Sequence, residues 1–127
     1  MPKILLVDDE DRFRTSLAKR LESRGYDVVD VDNGEDAIKR VRMDREIDIA
    51  ILDLKMPGMD GIETLNELRA FNPAIQGIML TGHGSLDSAK EAGKIDAFKF
   101  LEKPCSMEEL TQILELAQEE VVLAKAR

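Results

Sequence analysis

The sequence has no tryptophan, one tyrosine, four phenylalanines, one histidine and one cysteine among its 127 residues. Because Cys105 is alone, the chain cannot form an internal disulfide, and it has no Cys/His spacing of the kind that binds zinc. So few aromatic side chains disfavour a site that stacks a flavin or nucleotide ring. No apolar run approaches the roughly 20 residues of a membrane span, and the Met-Pro-Lys start has no signal-peptide pattern. We therefore expect a soluble, cytoplasmic protein with no membrane partner.

Basic residues are also few, since 18 Lys and Arg stand against 26 Asp and Glu and leave a formal net charge of −8. This charge argues against a domain that itself contacts nucleic acid, so any DNA contact would need another domain. The length and the 43% apolar content predict a single folded domain over residues 1–127. We find no linker, repeat or low-complexity tract within it.

Short apolar runs alternate with helix-like segments along the whole chain, which predicts repeated βα units and an α/β fold with a parallel sheet. The predicted strands are residues 4–7, 28–31, 49–52, 78–80 and 97–101. Helix boundaries come from local signals: Gly25 ends the first helix, and Asp60 with Glu63 and Ser106 with Glu109 have capping-box spacing. The fourth helix, residues 85–94, is the weakest because Gly93 costs about 1 kcal/mol in a helix interior.

A polar residue stands at or just past the end of each of four predicted strands. These residues are the Asp8-Asp9 pair, Asp53, Thr81 and Lys103. In an open α/β sheet, ligands bind outside the carboxyl ends of the strands, so we expect these side chains to meet in one crevice. Neighbouring carboxylates repel by about 1 kcal/mol per pair in water and about 4 at an effective dielectric of 20, so such a cluster needs a cation. Oxygen ligands favour Mg²⁺, with Mn²⁺ as a substitute.

A simpler interpretation of these aspartates is that each one caps a helix, and singly each is about as consistent with a cap as with a ligand. Asp8 or Asp9 would then cap the first helix. Capping does not explain the second aspartate of the pair, nor Asp53, which is followed by a turn at Pro57-Gly58 rather than directly by a helix. The joint occurrence of these residues therefore favours a site.

The motifs VDDE, LDLKMPGMDG, LTGHG and FLEKP, in this order and spacing, resemble the receiver domain of two-component response regulators. The resemblance runs from Lys3 to about the end of the last helix. It implies a flavodoxin-like, doubly wound, five-stranded parallel sheet of order 2-1-3-4-5 with five helices. The last helix would then lead to an output domain outside this chain, unless the receiver is free-standing.

The resemblance also implies how the site residues act. Asp53 would be the phosphoacceptor, and Lys103 and Thr81 would contact the phosphoryl group. Asp9, Asp53 and the backbone carbonyl of Lys55 would bind Mg²⁺, while Asp8 would orient metal-bound water. The protein would be a signalling receiver that catalyses its own phosphorylation and slow dephosphorylation, rather than an enzyme with an external substrate.

In this family, the threonine moves inward on phosphorylation and an aromatic residue follows it, which here implies a switch formed by Thr81 and Phe100. Phe100 stands where a tyrosine is common, so its inward movement would rest on apolar burial alone. The implied output face consists of the fourth helix, the fifth strand and the fifth helix. On the last helix, three apolar residues fall outside the core-facing stripe and are candidates for a dimer or coiled-coil seam, namely Leu116, Val122 and Leu123.

The implied partners are a sensor histidine kinase or phosphotransfer protein and an output domain or target protein, together with a second copy in a phosphorylation-dependent homodimer. Three alternatives stay open. A haloacid-dehalogenase-type phosphatase normally has a second aspartate two residues after the nucleophile, where this chain has Lys55. A flavodoxin relative would need a Gly-rich phosphate loop, and a degenerate receiver would bind partners without being phosphorylated. His83, in a Gly-His-Gly loop, is assigned no chemistry.

Overall fold

The structure is a computed structural model that describes residues 2–82 and 99–127. Its centre is a five-stranded sheet in which every neighbouring pair is parallel and the strand order is β2-β1-β3-β4-β5. The strands are β1 (Lys3–Val7), β2 (Asp27–Val31), β3 (Ile47–Asp53), β4 (Gln76–Thr81) and β5 (Lys99–Glu102). The predicted fold class and strand order are confirmed, and each predicted strand overlaps an observed one.

Four helices lie within the described residues. They are α1 (Asp11–Ser23), α2 (Gly34–Met43), α3 (Gly61–Phe71) and a C-terminal helix (Met107–Ala126). The predicted fourth helix at 85–94, and His83, lie outside the described residues. None of the described helices combines the length with the apolar character that crossing a bilayer requires.

The helix ends follow the local signals in the sequence. At the start of α3, the Asp60 carboxylate accepts a hydrogen bond from Glu63 N at 2.9 Å, and the Glu63 side chain accepts one from Asp60 N in return. Ser106 Oγ accepts from Glu109 N at 3.0 Å and so caps the C-terminal helix. Gly25 follows α1 with φ of +94°, in the left-handed region that glycine tolerates best.

The sheet separates two apolar layers, because successive residues of a strand point to opposite faces. On one face, Leu6 and Ile51 pack with α1 and with the predicted core stripe of the C-terminal helix, which consists of Leu110, Ile113, Leu114, Ala117 and Val121. On the other face, Leu5 and Leu52 pack with α2 and α3. Leu101 belongs to the first layer, whereas its neighbour Phe100 packs against the second.

A glycine allows α3 to start directly against the end of β3. A Cβ atom at Gly61 would overlap the backbone carbonyl oxygen of Asp53 and lie 3.0 Å from Leu54 Cα. Gly61 N also donates a hydrogen bond to Leu54 O at 3.0 Å. The backbone that carries Asp53 is therefore held in place by close contact with the first turn of α3.

Candidate functional site

Four of the five polar residues predicted to meet lie together at the carboxyl edge of the sheet, where the parallel strands end. Asp8 directly follows β1, Asp53 is the last residue of β3, Thr81 is the last residue of β4, and Lys103 directly follows β5. The backbone joins two of them, since Lys103 N donates to Thr81 O at 2.8 Å. The Lys103-Pro104 peptide bond is cis.

The Lys103 ammonium lies among three carboxylates. Its Nζ is 2.7 Å from Asp8 Oδ2, 2.9 Å from Glu10 Oε1 and 3.3 Å from Asp53 Oδ2. The Asp8 contact is an ion pair whose angles fall outside hydrogen-bond geometry, whereas the other two are hydrogen bonds. On a further side, Nζ is 4.4 Å from the centroid of the Phe13 ring, a cation–π distance.

Asp53 is a buried carboxyl group whose neighbours have opposite effects on its pKa. Burial and the nearby charge of Asp8 raise its pKa to about 6, although the charge and hydrogen bond of Lys103 act in the opposite direction. Only 6% of Asp53 is exposed to solvent. At neutral pH this carboxyl group is therefore mostly an anion in an environment that favours neutralisation by a cation.

The surroundings of Lys103 favour its charged form. Burial lowers the pKa of Lys103, but its contacts with Asp8 and Glu10 and the charge of Asp53 outweigh that effect and raise its pKa above the ordinary value. Lys103 is therefore a charged ammonium at neutral pH.

Thr81 contributes a buried hydroxyl that is not satisfied locally. The residue is 1% exposed, and its Oγ1 has no hydrogen-bond partner within residues 2–82 and 99–127. A buried hydroxyl without a partner costs free energy. Such a group at the carboxyl edge of the sheet is suited to an acceptor brought by a ligand.

The site has the composition of a site for a hard divalent cation. Carboxylate oxygens of Asp8, Glu10 and Asp53 all lie within 4.8 Å of one another, the one such acidic group among the described residues. One oxygen of Asp8 is buried without an aligned hydrogen-bond donor, so it has a free lone pair to offer. Oxygen donors of this kind fit Mg²⁺. The observed residues are therefore compatible with the predicted cofactor.

Two details of this cluster differ from the sequence prediction. Asp9, predicted as a direct ligand, is exposed and is not in the acidic group, whereas Glu10, which was not predicted, is in it. Lys55 lies nearby, since its backbone N–H donates to Asp53 Oδ1 at 3.3 Å. The predicted roles of Asp9, Asp53 and Lys55 as metal ligands, and of Asp8 in orienting metal-bound water, remain predictions.

The capping alternative does not describe Asp8 or Asp9. The residue at the N-cap of α1 is Glu10, and it makes no side-chain capping bond. Instead, Asp8 Oδ1 accepts a hydrogen bond from Glu10 N at 2.8 Å, which fixes the turn between β1 and α1. Asp8 thus orders its own loop and still directs its second oxygen toward Lys103.

Sequence reasoning also missed Arg14, which supports the same loop. Its Nη1 donates to the backbone carbonyl of Asp8 at 2.8 Å, and its Nε donates to Asp30 Oδ2 at 2.9 Å. The guanidinium therefore ties the end of β1 to β2. In the sequence, Arg14 appears only as an arginine in the first turns of a helix. Most arginines at such a position are simply solvated.

Comparisons with known proteins identify one family. The family model described as response regulator receiver domain matches residues 4–115. The transcriptional regulatory protein ZraR of Escherichia coli O157:H7 is 40% identical over 114 residues, which cover 90% of this chain and 26% of that protein. A cyclic di-GMP phosphodiesterase of Thermotoga maritima is 32% identical over 105 residues, covering 83% of this chain and 28% of that protein.

Among solved structures, a response regulator receiver domain protein from Clostridium thermocellum matches with a TM-score of 0.90 at 32% identity. The match covers 98% of this chain and 99% of that one. The chain spans about a quarter of the length of the two curated relatives.

Proposed function

Because this chain belongs to the response regulator receiver domain family, we propose that it accepts a phosphoryl group on Asp53 from a sensor histidine kinase or a phosphotransfer protein. The observation that carries the proposal is the position of Asp53, a buried carboxylate 3.3 Å from the Lys103 ammonium at the carboxyl edge of the sheet. A nucleophile and a fixed positive charge are what an incoming phosphoryl group requires.

In the proposed step, a carboxylate oxygen of Asp53 attacks the phosphorus atom of a phosphohistidine. The new oxygen–phosphorus bond forms as the phosphorus–nitrogen bond breaks. The electron pair of the broken bond stays on the imidazole nitrogen, which is neutral when the other ring nitrogen carries a proton. The products are an aspartyl phosphate and a histidine, and no other reactant is consumed.

The chain's own residues have separate roles in this step. Lys103 neutralises charge on the phosphoryl oxygens, since its ammonium is a compact charge on a long stem. Thr81 donates its buried hydroxyl to a second phosphoryl oxygen, which satisfies the group that has no partner among the described residues. Arg14 and the Asp8 turn hold the loop that faces them.

Mg²⁺ would be held by Asp9, Asp53 and the backbone carbonyl of Lys55, while Asp8 would orient metal-bound water. When bound, Mg²⁺ supplies positive charge that reduces the repulsion between the carboxylates and the phosphoryl oxygens. The support for this assignment is the oxygen-rich acidic group and the free lone pair of Asp8.

Phosphorylation would be transmitted by Thr81 and Phe100. A phosphoryl group adds about −1.5 to −2 charge and new acceptor oxygens, which draws the Thr81 hydroxyl toward Asp53. Phe100 then moves into the space that Thr81 leaves. This movement biases the face formed by the predicted fourth helix, β5 and the C-terminal helix, and that face controls an output domain, a target protein or a homodimer in the cytoplasm.

Phosphorylation by a small donor tests the proposal directly. Incubation with acetyl phosphate and Mg²⁺ should add one phosphoryl mass to the wild-type protein and none to Asp53→Asn. A matched control is Asp32→Asn, an exposed aspartate after β2 that is not in the acidic group. We expect the control to be labelled like the wild type, and full labelling of Asp53→Asn would overturn the assignment.

A further inference from the structure

The three carboxylates around Lys103 are held with different strength. Asp8 and Asp53 are 1% and 6% exposed and belong to the ends of buried strands. Glu10 precedes the first turn of α1, and its side chain is 62% exposed. Its contact with Lys103 nevertheless spans 93 positions of the sequence at 2.9 Å. Among the partners of Lys103 in the described part of the chain, Glu10 is thus the one that reaches in from solvent.

The space around the Lys103 ammonium is occupied by acceptors that it already contacts. Three carboxylate oxygens lie within 3.3 Å of Nζ, those of Glu10 and Asp53 as hydrogen-bond acceptors and that of Asp8 in an ion pair. The Phe13 ring covers another side. A phosphoryl oxygen that binds Lys103 must therefore replace one of the carboxylates.

Glu10 is the carboxylate that can be replaced at least cost. If Asp8 or Asp53 lost Lys103, a charged group would remain buried without its partner, which is strongly unfavourable. If Glu10 lost Lys103, its carboxylate would turn outward and be hydrated. An exposed ion pair of this kind is weak enough to break when a ligand competes for it.

We propose that Glu10 is a positioning residue that holds Lys103 against the acidic group and is displaced when a phosphoryl group binds at Asp53. This inference rests on the proposed function and adds a means of regulation to it. Because the Glu10 contact must break before Lys103 can bind the phosphoryl group, the strength of that contact sets how readily the domain becomes phosphorylated.

Two substitutions distinguish the effect of the Glu10–Lys103 contact from the effect of the negative charge of Glu10. Glu10→Gln removes the charge, while Glu10→Asp keeps the charge but shortens the side chain by one methylene group and withdraws the carboxylate from Lys103. We expect both variants to bind beryllofluoride in the presence of Mg²⁺ roughly two- to fivefold more tightly than the wild type, the range for loss of an exposed ion pair. The matched control is Glu22→Gln, which removes one charge from the exposed side of α1 and should leave the affinity unchanged.

A second measurement needs neither metal nor phosphoryl mimic. With chelator present, the Lys103 ammonium protons should exchange with water more slowly in the wild type and in Glu22→Gln than in both Glu10 variants. The affinity for Mg²⁺ alone gives a third measurement, since Glu10→Asp should bind the ion like the wild type. A loss on the order of tenfold would instead make Glu10 a metal ligand and overturn the inference.

The remaining outcomes are also decisive. Equal beryllofluoride affinity of wild type and both variants would refute the role of Glu10, while labelling of the wild type at Asp53 would leave the proposed function intact. Tighter binding by Glu10→Gln but not by Glu10→Asp would show that only charge repulsion matters, which refutes the contact. Absence of labelling at Asp53 in the wild type would defeat the proposed function itself, whatever the proton-exchange measurement shows.

Discussion

Lys103 Nζ lies 3.3 Å from Asp53 Oδ2, although the two residues are 50 positions apart in the sequence. Strand order brings them together, because β4 is the only strand between β3 and β5 and all three end at the same edge. Burial and the charge of Asp8 raise the pKa of Asp53 by more than the Lys103 ammonium lowers it, so this pKa stays at about 6. The free energy of unfolding should therefore depend measurably on pH.

The first prediction concerns Asp53→Asn and the free energy of unfolding without Mg²⁺. Since the folded protein binds the Asp53 proton more tightly than the unfolded chain does, ionisation destabilises the fold as pH rises from about 4 to about 6. Asn cannot ionise. We expect the variant to be more stable than the wild type by about 1 to 3 kcal/mol above pH 6.5, with the difference vanishing near pH 4.

Urea unfolding of both proteins at several pH values, with chelator present, measures this difference. Asp32→Asn serves as the control for adding an amide at an exposed position. A stability difference that is constant from pH 4 to pH 8 would contradict the raised pKa.

The second prediction concerns the glycine beneath Asp53. Gly61→Ala places a methyl group against the Asp53 carbonyl oxygen, so the backbone of β3 or α3 must shift. Although alanine favours a helix by about 1 kcal/mol over glycine, we expect a net destabilisation of about 1 to 3 kcal/mol because the obstacle is backbone. Thermal unfolding measures the loss, and acetyl phosphate labelling should also slow.

The control for this variant is Glu67→Ala, on the exposed side of the same helix, which should change stability by less than about 0.5 kcal/mol. Equal stability of Gly61→Ala and the wild type would mean that α3 can move away from Asp53 at no cost.

The third prediction concerns the buried hydroxyl of Thr81. Thr81→Val replaces a hydroxyl that has no partner among the described residues by a methyl group of similar size, so we expect unchanged or up to about 1 kcal/mol higher stability. The same variant should bind beryllofluoride more weakly, because a phosphoryl oxygen loses its donor. Chemical unfolding and a binding titration give the two values.

Thr81→Ser is the matched control, since it keeps the hydroxyl and loses only a methyl group. It should retain beryllofluoride binding and lose about 1 kcal/mol of stability. If both variants bind equally well, the Thr81 hydroxyl has no part in the site.

The fourth prediction concerns Phe100, which is partly buried against the layer of α2 and α3. Phe100→Ala should leave labelling of Asp53 within a few fold of the wild type, because the side chain makes no part of the acidic group. It should diminish the amide shift changes that phosphorylation causes in β5. Phe100→Leu, which keeps an apolar side chain, should retain more of them, and undiminished changes in Phe100→Ala would argue against a switch through this residue.

Much of the fold was predictable from local patterns. The five strands appear as apolar runs, and the capping signals at Asp60 and Ser106 mark the helix starts that the structure has. The meeting of Asp8, Asp53, Thr81 and Lys103 was predictable as well, because parallel strands present all their carboxyl ends at one edge. Strand order came from family resemblance, since periodicity carries no information about which strands are neighbours.

Contacts made by long exposed side chains were not predictable. Glu10 follows two aspartates at the start of a helix, where an acidic residue ordinarily interacts with the helix dipole, so nothing in its local sequence indicates Lys103. Arg14 presents the same difficulty, because its partners are a backbone carbonyl and a residue of β2. In both cases the pairing depends on rotamers and on strand order together.

Phe100 and Leu101 point to opposite faces of β5, and only Leu101 belongs to the layer that contains the C-terminal helix. A conformational signal that begins with Phe100 therefore starts on the far side of the sheet from Leu116, Val122 and Leu123, the exposed apolar residues of that helix. β5 lies at the edge of the sheet, and within residues 2–82 and 99–127 no further strand pairs with its outer side. A change of tilt in β5 would displace both side chains at once, so this edge strand connects the two apolar layers of the molecule.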